Sequence, residues 1–313
     1  MRKYLSEFGI NMFGVCPALL QQDSLNDARF ASLLPQDTPY HIYMITRRPR
    51  MGWEEDSLHI DAQALSGIFT IQRGSSIERR PFQLRNEIGR ADIRVLCPYP
   101  HNEYTIVDGK GSSLGTGKVA LAMAQANEAV ADLMDLEVLY VGQAYGTQGS
   151  RVAPDRLKSH PTLQGIYAEA IQRSPDQEIW IVLWSFEANL IMSAAGNIKE
   201  FATTTEEDLA HLQKVVRTPV TEQQQINFTE AALIRYFRPE FNVLLKSSFP
   251  SPAHQTYSEC YDLDLNSVIV ELQTEPLRAR LWSEAIAPQW LHFAKFQFHS
   301  PAERASMFDF GRL

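Results

Sequence analysis

The stretch Leu139-Tyr140-Val141-Gly142-Gln143 closes an apolar run that begins at Glu137, and its composition predicts a strand over 137–142. Arg156-Leu157-Lys158-Ser159-His160 follows, inside a segment, 154–170, that is predicted to be helical with a kink near Pro161. Arg156 and His160 are four apart, so on a helix they share a face. Far downstream, Glu230-Ala-Ala-Leu-Ile-Arg-Tyr-Phe237 predicts a helix over 228–237 that stops ahead of Pro239 and leads to Asn242. Tyrosine, arginine, histidine and glutamate form a set suited to cutting a phosphodiester. A guanidinium grips phosphate, a hydroxyl or imidazole handles a proton, and one carboxylate is enough to hold Mg²⁺.

Outward from this stretch, Tyr40-His-Ile-Tyr-Met-Ile-Thr46, Gly67–Arg73, Ala91–Cys97 and Glu103–Asp108 predict strands, whereas residues 1–36 are read as irregular or partly helical. The first hundred residues are therefore expected to be β-rich. Lys118–Met134 is alanine-rich and predicts a helix. Glu178-Ile-Trp-Ile-Val-Leu-Trp-Ser185 predicts a central strand, and Thr205 opens a helix with three acids in its first turn. Pro250-Ser-Pro252 marks a boundary. The tail predicts a strand over 267–272, a helix over 276–285 and an aromatic run from Trp290 to Phe298.

The bounding facts are ordinary. The chain has 313 residues, 44% hydrophobic and 21% charged, which suits a packed core and about two domains. No apolar run approaches a membrane span and the N-terminus has no apolar signal stretch, so a cytoplasmic protein is expected, with no membrane partner. Cys16, Cys97 and Cys260 are far apart, which gives neither a disulfide framework nor a zinc signature. Net charge is −8, and the segments 1–100, 101–246 and 247–313 carry +1, −6 and −3. A polyanion grip must then come from local clusters such as Arg47-Arg48-Pro49-Arg50. Gly109–Lys118 suggests a phosphate-binding loop, but its spacing fails. Ser112 stands where glycine is needed, and Val119 where a hydroxyl should meet magnesium.

The order of these fragments resembles the GIY-YIG nuclease family. The resemblance implies a small mixed α/β sheet flanked by helices at 101–246, between a β-rich region over 1–100 and a C-terminal α/β extension over 247–313. Its sheet would use 103–108, 137–142 and 178–186. It implies Tyr140, Arg156, His160 and Glu230 as catalytic residues, Glu230 as ligand to Mg²⁺ or Mn²⁺, and Asn242 at the end of the glutamate helix. The family's first motif has no clean counterpart, and Tyr104 in Glu103-Tyr104-Thr-Ile is taken as its tyrosine. The literal string Gly165-Ile166-Tyr167 lies inside the predicted helix and is set aside. Arg47, Arg48, Arg50, Lys158 and Asn242 are expected to bind substrate, with DNA ahead of RNA.

Each residue also has an ordinary structural role open to it. Tyr140 suits a core aromatic, Arg156 a solvated helix charge, His160 a packing or capping residue, and Thr229-Glu230 a helix cap. The competing reading of the whole is a module without catalysis that binds nucleic acid or a nucleotide as a sensor. A third is a protein-interaction subunit or homo-oligomer that uses the aromatics Trp282, Trp290, Phe293, Phe296 and Phe298.

Overall fold

The computed structural model describes residues 1–26, 39–126, 130, 133–145, 153–158, 161–194, 202–251 and 258–308. It is a mixed α/β protein, rich in strands, with six α-helices among the described residues.

The N-terminus forms β1 (Ser6–Leu20), where the expectation was irregular or helical chain. Phe8, Ile10 and Met12 are buried at alternate positions, the period of a strand, but Gly9, Asn11, Gly14 and Pro17 dilute the signal. Pairing supplies what local propensity lacks, because β1 lies between two strands distant in sequence. After β2 (Ile42–Pro49) the chain leaves for a long excursion. It builds one small antiparallel sheet from β3 (Met51–Trp53), β4 (His59–Ile60), β5 (Ala64–Arg73) and β6 (Ser76–Arg85). It then builds a second from β7 (Ile93–Leu96), β8 (Glu103–Asp108) and β9 (Ser113–Lys118). Helix α1 (Val119–Ala126) follows, and β10 (Leu136–Gln143) returns beside β2.

Next come α2 (Ala153–Leu157), α3 (Pro161–Arg173), β11 (Gln177–Ala194), α4 (Thr205–Arg217) and α5 (Glu222–Phe237). The predicted helix over 154–170 is thus two helices that part at Pro161. Helix α4 starts with a capping box between Thr204 and Glu207. The tail holds α6 (Ser258–Asp262), β12 (Ser267–Gln273), β13 (Leu281–Ser283), β14 (Ile286–Gln289) and β15 (Leu291–Gln297). The helix expected over 276–285 is replaced by a short 3-10 turn and β13, because Leu281 pairs with Leu136 of β10.

One eight-stranded sheet runs β14-β13-β10-β2-β11-β1-β12-β15. It draws strands from all three of the segments that composition separates, so 1–100, 101–246 and 247–313 share one framework. The expected small sheet is corrected in one respect. Residues 103–108 belong to the separate three-stranded sheet, and β2 stands between β10 and β11. Both faces of this centre are buried. Ile42, Met44, Val141, Trp180 and Val182 point into a core shared with α5. Tyr43, Ile45, Leu139, Ile179 and Ile181 point into a second core shared with α2 and α3. Strands covered on both faces give near-continuous apolar runs, as 178–185 does. No helix among the described residues is long and apolar enough to cross a membrane.

Candidate functional site

The site begins with the register of β2 against β10. Gly142 faces Tyr43 and Val141 faces Met44, but Tyr140 faces Ile45 and Val138 faces Thr46, so Leu139 is an extra residue in β10. This bulge breaks the alternation. Leu139 and Tyr140 both pack with the core that holds Tyr43. The Tyr43 and Tyr140 rings lie 6.1 Å apart between centroids, tilted by 31°. Gly142 makes room for both. A Cβ there would meet the Tyr43 Cζ and hydroxyl at 2.5 Å and the Tyr140 Cε1 at 2.7 Å.

Arg156 comes from α2, whose first residue, Ala153, donates its backbone N–H to Tyr40 O at 2.7 Å. Ala153 and Leu157 are buried and fix the helix against the sheet. The Arg156 side chain hydrogen-bonds to Tyr43 and lies close enough to Tyr140 to act on its charge. The buried Nε of Arg156 has no partner among the described residues, so this guanidinium holds a spare donor. Burial raises both phenols above their ordinary value of 10. Arg156 opposes that rise on each, as do Tyr43 and Thr162 through hydrogen bonds to Tyr140, but burial outweighs them.

Glu230 sits in the interior of α5, which starts eight residues earlier at Glu222 and not at 228. Thr221 N–H and Oγ1 bond Gln224 Oε1 at the true start, and Thr229 Oγ1 donates back to Gln225 O at 2.6 Å. The capping role is therefore taken by Thr221, and the Thr229-Glu230 pair caps nothing. Gln143, at the end of β10, donates to Glu230 Oε2 at 2.7 Å and to Asn227 Oδ1 at 3.0 Å. Burial pushes the Glu230 carboxyl up from 4.5 to about 7, against the lowering effects of Gln143 and Arg156. The negative fields of Glu230 in turn raise Tyr43 and Tyr140. Tyr43, Tyr140, Arg156 and Glu230 thus form one electrostatically coupled group at the end of the β2–β10 pair.

Asn242 fastens this group. Helix α5 ends at Arg238 in the left-handed region (φ 49°), ahead of Pro239. Phe241 N–H then bonds Leu139 O at 3.0 Å. The Asn242 amide accepts from Val141 N–H and donates to Val141 O, both at 2.9 Å. It satisfies the backbone between Tyr140 and Gly142 as a neighbouring strand would. Asn242, for which a structural role in the turn after the helix is also open, has both polar atoms of its amide engaged with Val141.

Other expected residues fall elsewhere. Tyr104 lies on β8, packed on Trp53 at 4.8 Å, and is not brought to this group. Tyr43 stands beside Tyr140 instead. Its segment, Tyr40–Thr46, is legible as a strand, but the excursion over 50–135 hides its pairing with β10. His160 lies outside the described residues, as do residues 146–152 of the loop before α2. Lys158 is exposed, 3.8 Å from Asp155. The arginine cluster is divided. Arg47 makes a two-pronged bond with Glu137 at 2.7 and 3.1 Å. Arg48 is buried, bonds Glu178 at 3.2 Å and stacks on Trp180 at 4.0 Å. Burial makes Arg48 unable to grip an external backbone, which corrects its expected role. Arg50 is half-buried beside a cavity of about 630 Å³ that Trp53, Tyr99 and His101 also line. Ser113–Lys118 is a strand, with Lys118 bound to Asp23 and Glu103, so no phosphate loop exists there. Gly165–Tyr167 is helical, with Ile166 in the core.

Among the described residues no three of His, Cys, Asp and Glu gather as a metal-binding group. The chemistry of Glu230 nevertheless suits a hard cation. Gln143 holds one oxygen, and the charge of Arg156 offsets the burial of the carboxyl only in part. Magnesium keeps several waters and needs one or two protein carboxylates. Compared with family models, curated proteins and solved structures, the chain matches none.

Proposed function

We propose that this chain is a metal-dependent endonuclease of GIY-YIG type, hydrolysing nucleic-acid phosphodiester bonds. One arrangement carries the reading: the Tyr43 and Tyr140 rings lie 6.1 Å apart beside Gly142, Arg156 hydrogen-bonds to Tyr43, and Gln143 at the end of the same strand holds Glu230. In this reading β2, β10 and β11 form the catalytic sheet with α2, α3 and α5, and residues 50–135 are an insertion between the two tyrosine strands. Tyr43 takes the place expected for Tyr104.

Glu230 would hold Mg²⁺ or Mn²⁺, which supplies counter-charge to the phosphate oxygens and lowers the pKa of water. Arg156, held by Tyr43, supplies the guanidinium that meets a non-bridging oxygen of the scissile phosphate. Tyr43 and Tyr140 orient the attacking water through their hydroxyls. With both phenols raised, they act as hydrogen-bonding groups and not as bases at neutral pH. Gln143 and Asn242 hold the glutamate and the Tyr140 strand in place. DNA is the favoured substrate.

The test is a cleavage assay on single- and double-stranded DNA and RNA with Mg²⁺ or Mn²⁺. Cutting that Arg156→Ala and Glu230→Gln each remove supports the proposal. The competing reading is a module that binds nucleic acid without cutting it. The raised phenols, which leave no base among the tyrosines at neutral pH, favour it. Binding without cleavage by the purified chain under every metal condition would establish that reading and overturn the nuclease.

A further inference from the structure

Strand β11 is 18 residues long, and β2 covers only its first part. That pairing ends where Ile42 faces Trp184. Beyond it, β11 bonds β1 on one side, in an unbroken register from Gly14 opposite Phe186 to Ser6 opposite Ala194. Among the described residues no strand pairs with the other side of 186–194. In an antiparallel sheet every second residue turns its N–H and C=O toward such an edge. The edge is therefore a row of unused donors and acceptors, set at the spacing of another strand.

Its side chains leave it open. Phe186-Glu-Ala-Asn-Leu-Ile-Met-Ser-Ala194 holds one charge and no proline, glycine, lysine or arginine. Leu190 is 48% and Met192 56% exposed, although Ile10 and Phe8, which face them across the ladder, are buried in the main core. The apolar face of the sheet thus runs past its last paired strand into solvent. Other edges of the molecule are blunted. β14 carries Pro288, β15 carries Lys295, and β6 carries Arg79, Arg80 and Pro81. Proline and cations on an edge stop copies of one chain from joining through it. Segment 186–194 has neither, which leaves it open to another copy.

Two copies of this edge also match. A two-fold axis normal to the sheet sets them antiparallel and keeps like faces together, provided that one residue lies opposite itself. With Ile191 on the axis, Leu190 faces the partner's Met192 twice over, so both exposed apolar side chains are covered. Asn189 then faces the partner's Ser193, and Ala188 the partner's Ala194. Glu187 lies beyond these pairs, so no like charges oppose each other. The partner's strand ends opposite Ala188, short of Ile42 opposite Trp184, and β2 does not obstruct it.

We propose that the 186–194 edge of β11 joins the same edge of a second copy, making a two-fold dimer with one sheet continuous through both. This dimer does not rest on the nuclease reading, since Arg156 and Glu230 take no part in it.

Sedimentation equilibrium of the full chain reads the mass. The parent should weigh twice its 35.5 kDa. Leu190→Lys with Met192→Lys sets like charges against each other across the axis and should halve the mass, and Leu190→Glu with Met192→Glu should do the same. Mixing the two variants should restore the dimer, because each lysine then meets a glutamate. If either variant does not fold, Ile191→Cys on a Cys16→Ser background is the second reading. A short bifunctional thiol reagent should join two copies through position 191, and should not join them through Leu114→Cys, which is exposed on the sheet of β9. A parent at 35.5 kDa, variants that keep the doubled mass, a mixture that stays monomeric, or equal linking at 114 and 191 overturns the proposal.

Discussion

Tyr43 and Gly142 face each other across β2 and β10, and the tyrosine ring occupies the space a side chain at 142 would need. Gly142→Ala should displace both tyrosines. The contacts of 2.5 and 2.7 Å exceed what small shifts absorb, so a loss of about 1–3 kcal/mol is expected, with cleavage falling well beyond the stability effect. Thermal unfolding and nuclease rate on the same preparation check this. An alanine variant that cuts as the parent does would remove the tyrosine pair from the site.

The hydroxyls themselves are separable by Tyr→Phe changes. Tyr43→Phe and Tyr140→Phe should each lower cleavage by about 10²-fold, the loss expected when the attacking water is misplaced. Tyr104→Phe should leave the rate unchanged, since that ring belongs to another sheet. A loss at Tyr104 matching that at Tyr43 would return the earlier assignment.

Glu230→Gln should abolish cleavage and stabilise the fold at high pH. The carboxyl moves from 4.5 to about 7 on folding, so its favourable contribution is complete below 4.5 and is lost as pH rises through 7. Above pH 7 the metal-free parent forgoes roughly 3 kcal/mol that the glutamine variant keeps. Denaturant unfolding at pH 5 and pH 8.5 with chelator reads the difference. A variant that is less stable than the parent at pH 8.5 would make the carboxylate a structural group.

Asn242→Ala leaves the N–H and carbonyl of Val141 without partners in a buried place. The expected cost is about 2–4 kcal/mol from the two groups together. Cleavage should fall through kcat more than KM, because the residue positions Tyr140 and does not hold substrate. A KM effect alone would restore Asn242 to substrate binding.

Arg48→Ala should destabilise by about 3–5 kcal/mol, because Glu178 would be left buried without its counter-charge. Arg48→Met with Glu178→Leu should recover most of that. Arg50→Ala should instead be tolerated and should weaken nucleic-acid binding, with a salt slope lower by about one counterion. An unchanged slope would leave Arg50 out of the interface.

Local chemistry made much of this legible. The 178–185 run, the strand at 40–46, the acid-rich helix start at Thr205 and the stop at Pro239 are all set by neighbours in sequence. The same holds for the Tyr140, Arg156 and Glu230 fragments, and in the fold the charges of Arg156 and Glu230 both act on Tyr140. What stayed hidden depends on distant partners. β1 is a strand because β11 and β12 flank it, and β13 because β10 does. Tyr43 escaped notice since the strand beside β10 lies before the excursion over 50–135, where nothing local marks the pairing. The fate of Arg48 turned on Glu178 and Trp180, both far along the chain.

The place of β1 governs how the chain can come together. Gly9 pairs with Ile191 on one side and with Ser267 on the other. During synthesis the first strand has no mate until β11 has emerged, and its second edge stays open until β12 is made. Closing loops of that length carries a large entropic delay before any contact rewards it. Nascent chains therefore pass through a long period with an apolar strand exposed. Truncated products that stop before β12 keep that edge bare, ready to pair with one another.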